Sequence, residues 1–327
     1  MGILEKSERF GRVIPLTNES VTIKNILKRE LMHKGIILET EIEIKEIKKN
    51  DKIFELFSEN KTYLTSNLVI STGGYSYPSI GTTGDGFKFA KQFNHSINKS
   101  YPVLVPIELK NNPFTKLQGI KMDVNIFFQD ENKIVRTKFG EILFTDYGIS
   151  GPAAIDISLP YIAESNTDNK LYLNFLSGHK ATETSQLIKR YKTNTVNFNL
   201  KDFFSGILPQ KFINRFLSKF LNKFSLTLET KINKIDEKLF SELIHELKNF
   251  EITILKFKSF KEARTCYGGI PDEEISPLNF ESQLIPNLFF TGEMINISGL
   301  SGGYNLQFAF SSGFIAGNYL KSKTTDK

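Results

Sequence analysis

The sequence predicts an α/β fold in which a cofactor domain made of two pieces encloses a β-rich insertion, and that insertion encloses a helical one. Three observations predict it. Near the C-terminus an apolar run, Asn287-Leu288-Phe289-Phe290-Thr291, is followed by Gly292-Glu293 and then by Ser301-Gly302-Gly303-Tyr304-Asn305, which opens a segment of helical spacing. Residues Leu68 to Phe93 repeat the strand-turn-helix layout, with Thr72-Gly73-Gly74 at the strand's carboxyl end. Between these two places the apolar period changes from alternation to helical and back to alternation.

Along the chain, residues 20–34 have helical spacing (Val21, Ile23, Ile26, Leu27, Leu31) and are closed by Gly35. Ile36-Ile37-Leu38, Glu41-Ile42-Glu43-Ile44 and Ile53-Phe54-Glu55-Leu56-Phe57 read as short strands. Asp85 stands where the next helix begins and is a candidate N-cap. A β-rich run follows from Val103 to about Ile157, with alternation in Val124-Asn125-Ile126-Phe127. The period is helical from about 181 to 247, with breaks at Gly206 and Pro209, and Glu251-Ile252-Thr253-Ile254-Leu255 returns to strand. The domain boundaries expected from this order are 1–100 and 271–327 for the cofactor domain, 101–165 and 250–270 for the β-rich insertion, and 166–249 for the helical insertion.

The C-terminal layout points to a bound flavin. Gly302 and Gly303 lack a Cβ, so the backbone can take positive φ and approach a flat ring closely. The helix that follows, with Leu306, Ala309, Phe310, Gly313, Phe314 and Gly317 on one face, aims free N–H groups and its positive dipole end toward the ligand. Glu293, just past the strand's carboxyl end, suits the hydroxyls of a sugar or ribityl chain.

The string from Gly292 to Gln307 resembles the C-terminal signature of the YhiN/BaiN-like flavoproteins, the aminoacetone oxidase family of FAD-binding enzymes. Three further stretches agree with that family in order. Gly11-Arg12-Val13-Ile14-Pro15 resembles its GRVFP; Ser71-Thr72-Gly73-Gly74-Tyr75-Ser76-Tyr77-Pro78 with Gly81-Thr82-Thr83-Gly84-Asp85-Gly86 resembles its ATGG-SYP-GSTGDG; and Leu143-Phe144-Thr145-Asp146-Tyr147-Gly148-Ile149-Ser150-Gly151-Pro152 resembles its LFTH-GLSGP. The resemblance runs across essentially the whole chain. It implies an FAD-binding domain of glutathione-reductase-like type, FAD as cofactor and a small-molecule substrate, and it allows NAD(P)H as electron donor without fixing the donor. It also implies that Thr72, Gly73 and Gly74 close around the nucleotide, that Ile44 presents its backbone to the adenine, and that Gly292, Glu293, Gly302, Gly303, Tyr304 and Asn305 hold the flavin end.

Two features depart from the family. Its opening βαβ unit, with G-x-G-x-x-G and a ribose-binding acid, has no counterpart here, so the expected cofactor domain is N-terminally truncated. The missing strand would be central, which predicts open apolar edges on the strands at Leu68-Val69-Ile70 and Leu288-Phe289-Phe290 and a complementing N-terminal fragment as partner. The second departure is in side chains. Asp146 stands where the family usually has His, and Asn296 where Asp is usual; Asp146 is the candidate catalytic residue, a carboxylate able to handle protons on the substrate side. The reading is therefore an FAD-dependent oxidoreductase, with a non-catalytic remnant or split-gene subunit as the alternative and a flavin-dependent RNA-modifying enzyme as a third.

Composition excludes other classes. At 327 residues, 40% hydrophobic and 24% charged, the chain suits an ordinary globular protein with more than one core. It has no apolar run of membrane-spanning length, no export signal at its start, and a single cysteine, Cys266; a cytoplasmic, disulfide-free protein is expected. The four histidines form no metal-ligand spacing, Gly148-Ile149-Ser150-Gly151 is not a nucleophile elbow, and there is no phosphate loop. Of the net charge of +6, the whole excess lies in residues 161–260, with 16 Lys and Arg against 10 Asp and Glu. Its lysines (Lys211, Lys219, Lys223, Lys231, Lys234, Lys238) are spread over helical faces and read as a solvated surface rather than a nucleic-acid contact.

Overall fold

The computed structural model describes every residue except 1, 9–10, 131–132, 164–168, 178–185, 187–189, 192–197 and 326–327. Part of the helical segment expected from about 181 lies outside the described residues. The chain divides into two compact units, one of residues 1–73, 84–98 and 268–327, the other of 74–83 and 99–267.

The first unit carries short strands. β1 (Glu5–Ser7) and β2 (Val13–Pro15) pair antiparallel, and α1 (Ser20–His33) follows, stopped by Gly35 at φ +67° as its spacing predicts. β3 (Glu46–Asn50), β4 (Ile53–Phe57) and β5 (Thr62–Thr65) form a meander, and β6 (Leu68–Ile70) pairs in parallel with β15 (Leu288–Phe290). Phe54 of β4 meets Phe93, just past α2 (Asp85–Gln92), edge to face at 5.9 Å. Gly84, at φ +78°, is the residue that caps α2; Asp85 is its first helical residue rather than the cap.

The strands expected at Ile36–Leu38 and Glu41–Ile44 are not formed. A strand needs a ladder partner for its N–H and C=O groups, and no described strand lies alongside. Ile37 is instead 85% exposed, and the segment is tied down by Glu39, which accepts from Lys61 Nζ (2.6 Å) and from the Tyr63 hydroxyl. Of the two edges expected to be open, only one is. Val69 of β6 is 40% exposed on a strand whose only strand partner among the described residues is β15, whereas Leu288, Phe289 and Phe290 are fully buried, because residues 280–282 cover the far side of β15 through Ser282 N to Leu288 O (2.7 Å) and Phe290 N to Phe280 O (3.1 Å).

The last helix, α8 (Tyr304–Thr325), turns much of its apolar face outward. Ser312 and Ala316 point inward and are buried, while Leu306, Phe310 and Phe314 are 67%, 57% and 70% exposed. An apolar stripe of this size on a helix surface is the mark of a contact face.

A buried clamp holds the first unit together. His95 Nδ1 lies 2.6 Å from Glu274 and Nε2 lies 2.7 Å from Ser282 Oγ, which accepts from Leu284 N (3.1 Å) and Ile285 N (2.9 Å). With both lone pairs of Ser282 taken, its proton goes to Nε2, so the Nδ1–H donates to Glu274. Ser, His and Glu in this order have the connectivity of a hydrolytic triad, but Ser282 is buried and its oxygen is occupied, so the group is structural.

In the second unit, β7 (Asn98–Val103) pairs with β14 (Thr265–Gly269), and six antiparallel strands close into a barrel in the order β10-β11-β8-β13-β12-β9. These are β8 (Ile107–Leu109), β9 (Lys121–Asp130), β10 (Lys133–Phe144), β11 (Gly148–Ser150), β12 (Lys170–Asn174) and β13 (Phe250–Phe257). The β-rich run ends earlier than expected, at Ser150, because α3 (Pro152–Ala163) begins there with Pro at its first position. Residues 153–159 are all buried, so this helix shows no amphipathic period and its sequence mimics a strand. Its buried Asp156 lies 2.8 Å from Lys138 Nζ. Helices α4 (Leu200–Ser205), α5 (Gln210–Phe212), α6 (Ser218–Phe220) and α7 (Glu237–Lys248) cap the barrel, α4 with a capping box between Asn199 and Asp202. The shared core is rich in phenylalanine: Phe114 meets Phe144 at 4.7 Å and Phe216 at 5.5 Å, and Phe212 meets Phe216 at 4.8 Å and Phe175 at 4.9 Å.

Candidate functional site

Both strands of the parallel pair end together. Thr291 N donates to Ile70 O (3.3 Å), and from there the two chains leave at the carboxyl end, where open α/β sheets bind ligands. Thr72 Oγ1 lies 3.4 Å from Met294 Sδ, joining the two strand ends. A Cβ on Gly86 would come within 2.6 Å of Met294 and 2.2 Å of Thr72 Oγ1, so only glycine lets the first turn of α2 pack this closely.

Gly292, at φ +65°, starts a single 3₁₀ turn, Gly292–Met294. Its N–H donates to Ser312 Oγ (2.9 Å), which in turn donates to Ala309 O (3.1 Å), so the end of β15 is fixed to the second turn of α8. Glu293 follows, half-buried. The loop back to α8 is closed by Asn305, whose side chain accepts from Gly299 N (2.8 Å) and donates to Gly299 O (2.9 Å).

Gly302 and Gly303 stand immediately before α8 at φ +117° and +103°, a region that L side chains rarely adopt. Gly303 O accepts the first helical bond, from Gln307 N (2.9 Å), which leaves the N–H groups of the first turn without intrahelical acceptors. Apart from Gly303 itself and its chain neighbours, no heavy atom of the described residues lies within 4 Å of where a Cβ on Gly303 would stand. The side-chain oxygen of Asn296, on the same loop, is buried and has no hydrogen-bond partner among the described residues. An exposed, side-chain-free backbone at a helix N-terminus, on a loop that also carries an unsatisfied buried acceptor, fits a flat, polar, hydrogen-bonding ring such as a flavin.

The structure thus gathers Thr72, Gly73, Gly292, Glu293, Gly302, Gly303, Tyr304 and Asn305 in the first unit, around the strand ends and the start of α8. Asn305 is engaged in closing its own loop, and Tyr304 is 62% exposed. Ile44 belongs to the same unit and stands half-buried just before β3, where Lys45 N donates to Phe57 O (2.8 Å). Gly74 and Asp146 belong to the second unit. Asp146 is exposed in the turn from β10 to β11; its carboxylate accepts from Tyr147 N (3.1 Å), and its carbonyl accepts from Asn112 Nδ2 (3.0 Å). Among the described residues no three His, Cys, Asp or Glu side chains could hold a metal, and no helix is long and apolar enough to cross a membrane.

Comparison with known proteins agrees with this geometry. A 3-dehydro-bile acid Δ(4,6)-reductase of Clostridium scindens is 26% identical over 320 residues, covering 97% of this chain and 77% of the relative. Two ribosomal RNA dihydrouridine synthases are similar as well: that of Haemophilus influenzae is 28% identical over 298 residues, 89% of this chain and 70% of the relative. That of Escherichia coli is 26% identical over 271 residues, 83% and 64% of the two chains. The family described as HI0933-like protein Rossmann domain matches residues 1–319. A match of that extent, joined to strand ends and a Gly-Gly helix start of the expected kind, shows that the chain belongs to the HI0933-like Rossmann family, the YhiN/BaiN-like flavoproteins.

Proposed function

We propose that this chain is an FAD-dependent oxidoreductase acting on a small-molecule substrate, with NAD(P)H as electron donor. The observation that carries the reading is the Gly302-Gly303 pair, held at positive φ with open space in front of Gly303, on the loop that also carries the buried Asn296 oxygen, unsatisfied among the described residues. Gly302 and Gly303 would lie against the ring, Glu293 would bind ribityl hydroxyls, and the first N–H groups of α8, at Tyr304 and Asn305, would face negative charge on the ligand. Thr72, Gly73 and Gly74 would serve the nucleotide and the Ile44 backbone the adenine. Asp146 is the proposed proton-handling residue. When bound, the flavin supplies the electron-transfer chemistry, while the protein positions it and excludes water. The relatives named above act on a bile acid and on ribosomal RNA, so the substrate class does not follow from kinship.

The domain reading is part of the proposal: a cofactor domain in two pieces, 1–100 and 271–327, around a β-rich insertion with a nested helical one. A second reading, a subunit that needs a complementing fragment, is favoured by the open β6 edge at Val69 and the outward stripe Leu306, Phe310 and Phe314, which would accept an added strand and helix. The two readings meet in one experiment. The chain is purified alone and after co-expression with a βαβ unit carrying G-x-G-x-x-G, and flavin is measured by absorbance. Yellow protein only on co-expression supports both, and Gly303→Val should then abolish flavin uptake while the barrel unfolds at an unchanged midpoint. Colourless protein in both preparations would overturn the flavoprotein reading, and flavin bound by the chain alone would overturn the need for a fragment.

A further inference from the structure

Residues 203–228 contain no Asp or Glu, yet Lys211, Arg215, Lys219 and Lys223 recur at every fourth position. Because Phe212, Ile213, Phe216 and Leu217 are buried in the phenylalanine core, the cations fall on the outer face. Between α5 and α6 the helix widens into one π turn, Ile213–Leu217, where Ser218 N donates to Ile213 O. Such turns are uncommon and are often found at functional sites.

A groove of about 530 Å³ opens between this turn and the 3₁₀ turn Thr115–Leu117. Lys116, Gln118, Asn214, Arg215, Ser218 and Lys219 line it. With Thr115, three cations, two amides and two hydroxyls face the groove, and among the described residues its lining has no carboxylate and no wholly apolar side chain. Arg215 Nη1 donates to Lys116 O (2.9 Å), which links the two walls and places the guanidinium at their junction. Among the described residues, Lys116, Arg215 and Lys219 have no carboxylate within ion-pair distance, whereas Lys223, one turn further on, is paired with Glu246 (2.8 Å).

We propose that this groove binds the phosphodiester backbone of a nucleic acid. Side-chain cations interleaved with amides and hydroxyls are the donor set that contacts phosphate and sugar without reading sequence. An anionic membrane is a poorer fit, since interfacial binding also needs exposed apolar residues beside the charge and the groove's lining has none. Arg215 and Lys219 are one helical turn apart, so the cations form a track rather than a single point. The inference does not rest on the flavin reading. It departs from the sequence-based expectation of a solvated helix face, because neither the groove nor Lys116, nearly a hundred residues away, is visible in helical periodicity.

The test is fluorescence anisotropy of the full chain with a labelled RNA stem-loop and with a DNA duplex, as a function of salt. Two charge-matched triple variants are compared, Lys116→Gln/Arg215→Gln/Lys219→Gln in the groove and Lys201→Gln/Lys234→Gln/Lys238→Gln outside it; all six residues are exposed or line the groove, and circular dichroism verifies the fold. The groove variant should weaken binding about tenfold near 0.1 M salt and reduce the slope of log K against log salt by about 2 to 3, as expected for three lost phosphate contacts, while the outer variant changes affinity less than about twofold. RNA or DNA binding with this pattern supports the proposal, and the preferred probe identifies the source. Equal loss in both variants, absence of binding, displacement by inorganic phosphate at equal ionic strength, or binding of phosphatidylserine vesicles in place of both probes would overturn it.

Discussion

The barrel unit and the strand-pair unit solve the same problem in opposite ways. In the barrel, β9 and β10 run 10 and 12 residues and the six strands close on themselves, so each strand has a strand neighbour on both sides within the unit. In the other unit the strands are 3 to 5 residues long, α1 buries none of its residues, and the β6 edge and the outer face of α8 present apolar side chains to solvent. The difference is in where the partners are. Barrel residues are satisfied by neighbours that this chain supplies, whereas Val69, Phe310 and Phe314 have the composition of buried residues without described neighbours to bury them.

The largest expected effect follows from that contrast. Phe114 sits among Phe144, Phe175, Phe216 and Phe250, and Phe114→Ala should destabilise the barrel by about 3–5 kcal/mol through lost burial and an unfilled cavity. Phe314→Ala, an identical truncation on the outer face of α8, should change stability by less than about 0.5 kcal/mol and reduce self-association. Urea unfolding and light scattering of the two variants measure both. Comparable losses would mean that the α8 face is covered in solution and would remove the distinction between the units.

What was legible in the sequence follows the range of the interactions involved. α1, α8 and the ends of β6 and β15 were readable because helical period, glycine stops and the positive φ of Gly302 and Gly303 are decided within a few residues. The strands expected at 36–38 and 41–44 failed because a strand exists only with its ladder partner, which local pattern does not reveal. α3 was read as strand because burial on all sides erases its period. Which way the apolar face of α8 turns was not legible, since an apolar face says only that something should cover it. In the site, the glycines and Glu293 were legible one by one. The engagement of Asn305 with Gly299 and the orphaned oxygen of Asn296 needed coordinates.

A middle-sized effect sharpens the account of what holds the open unit together. Glu274 is joined to His95 and accepts from Ser96 N through both oxygens (3.2 and 3.1 Å). Burial pushes its pKa up, but the hydrogen bonds from Ser96 and His95 together outweigh that and hold it below the usual carboxylate value. A folded-state pKa below the unfolded one gives stability that is present above the unfolded value, near 4.3 for Glu, and is lost as pH falls through the folded value. Glu274→Gln should therefore cost about 1–3 kcal/mol at pH 6 and progressively less as the pH is lowered below about 4. A variant whose deficit is the same at pH 6 and pH 3 would show that the carboxylate's charge contributes nothing and that only shape matters at this position.

The smallest expected effect on stability concerns Asp146, and its smallness is what makes it useful. Its carboxylate makes one local hydrogen bond, to Tyr147 N, while the turn is held mainly by backbone atoms: Asn112 Nδ2 donates to the carbonyls of Thr145 and Asp146, and Thr145 N donates to Gly148 O (2.9 Å). Replacing an exposed side chain in such a turn should change stability by less than about 0.5 kcal/mol, so Asp146→His leaves a folded barrel. Any change in the pH dependence of flavin reoxidation, followed by stopped flow from about pH 5 to 9 in flavin-loaded protein, would then report on proton handling and not on folding. The replacement exchanges a carboxylate for an imidazole, the side chain type that changes charge closest to neutral pH. A shifted profile supports a proton-handling role on the substrate side. Superimposable profiles would leave Asp146 as a turn residue, and a loss of barrel stability beyond about 1 kcal/mol would show that the turn depends on its carboxylate more than the backbone bonds indicate.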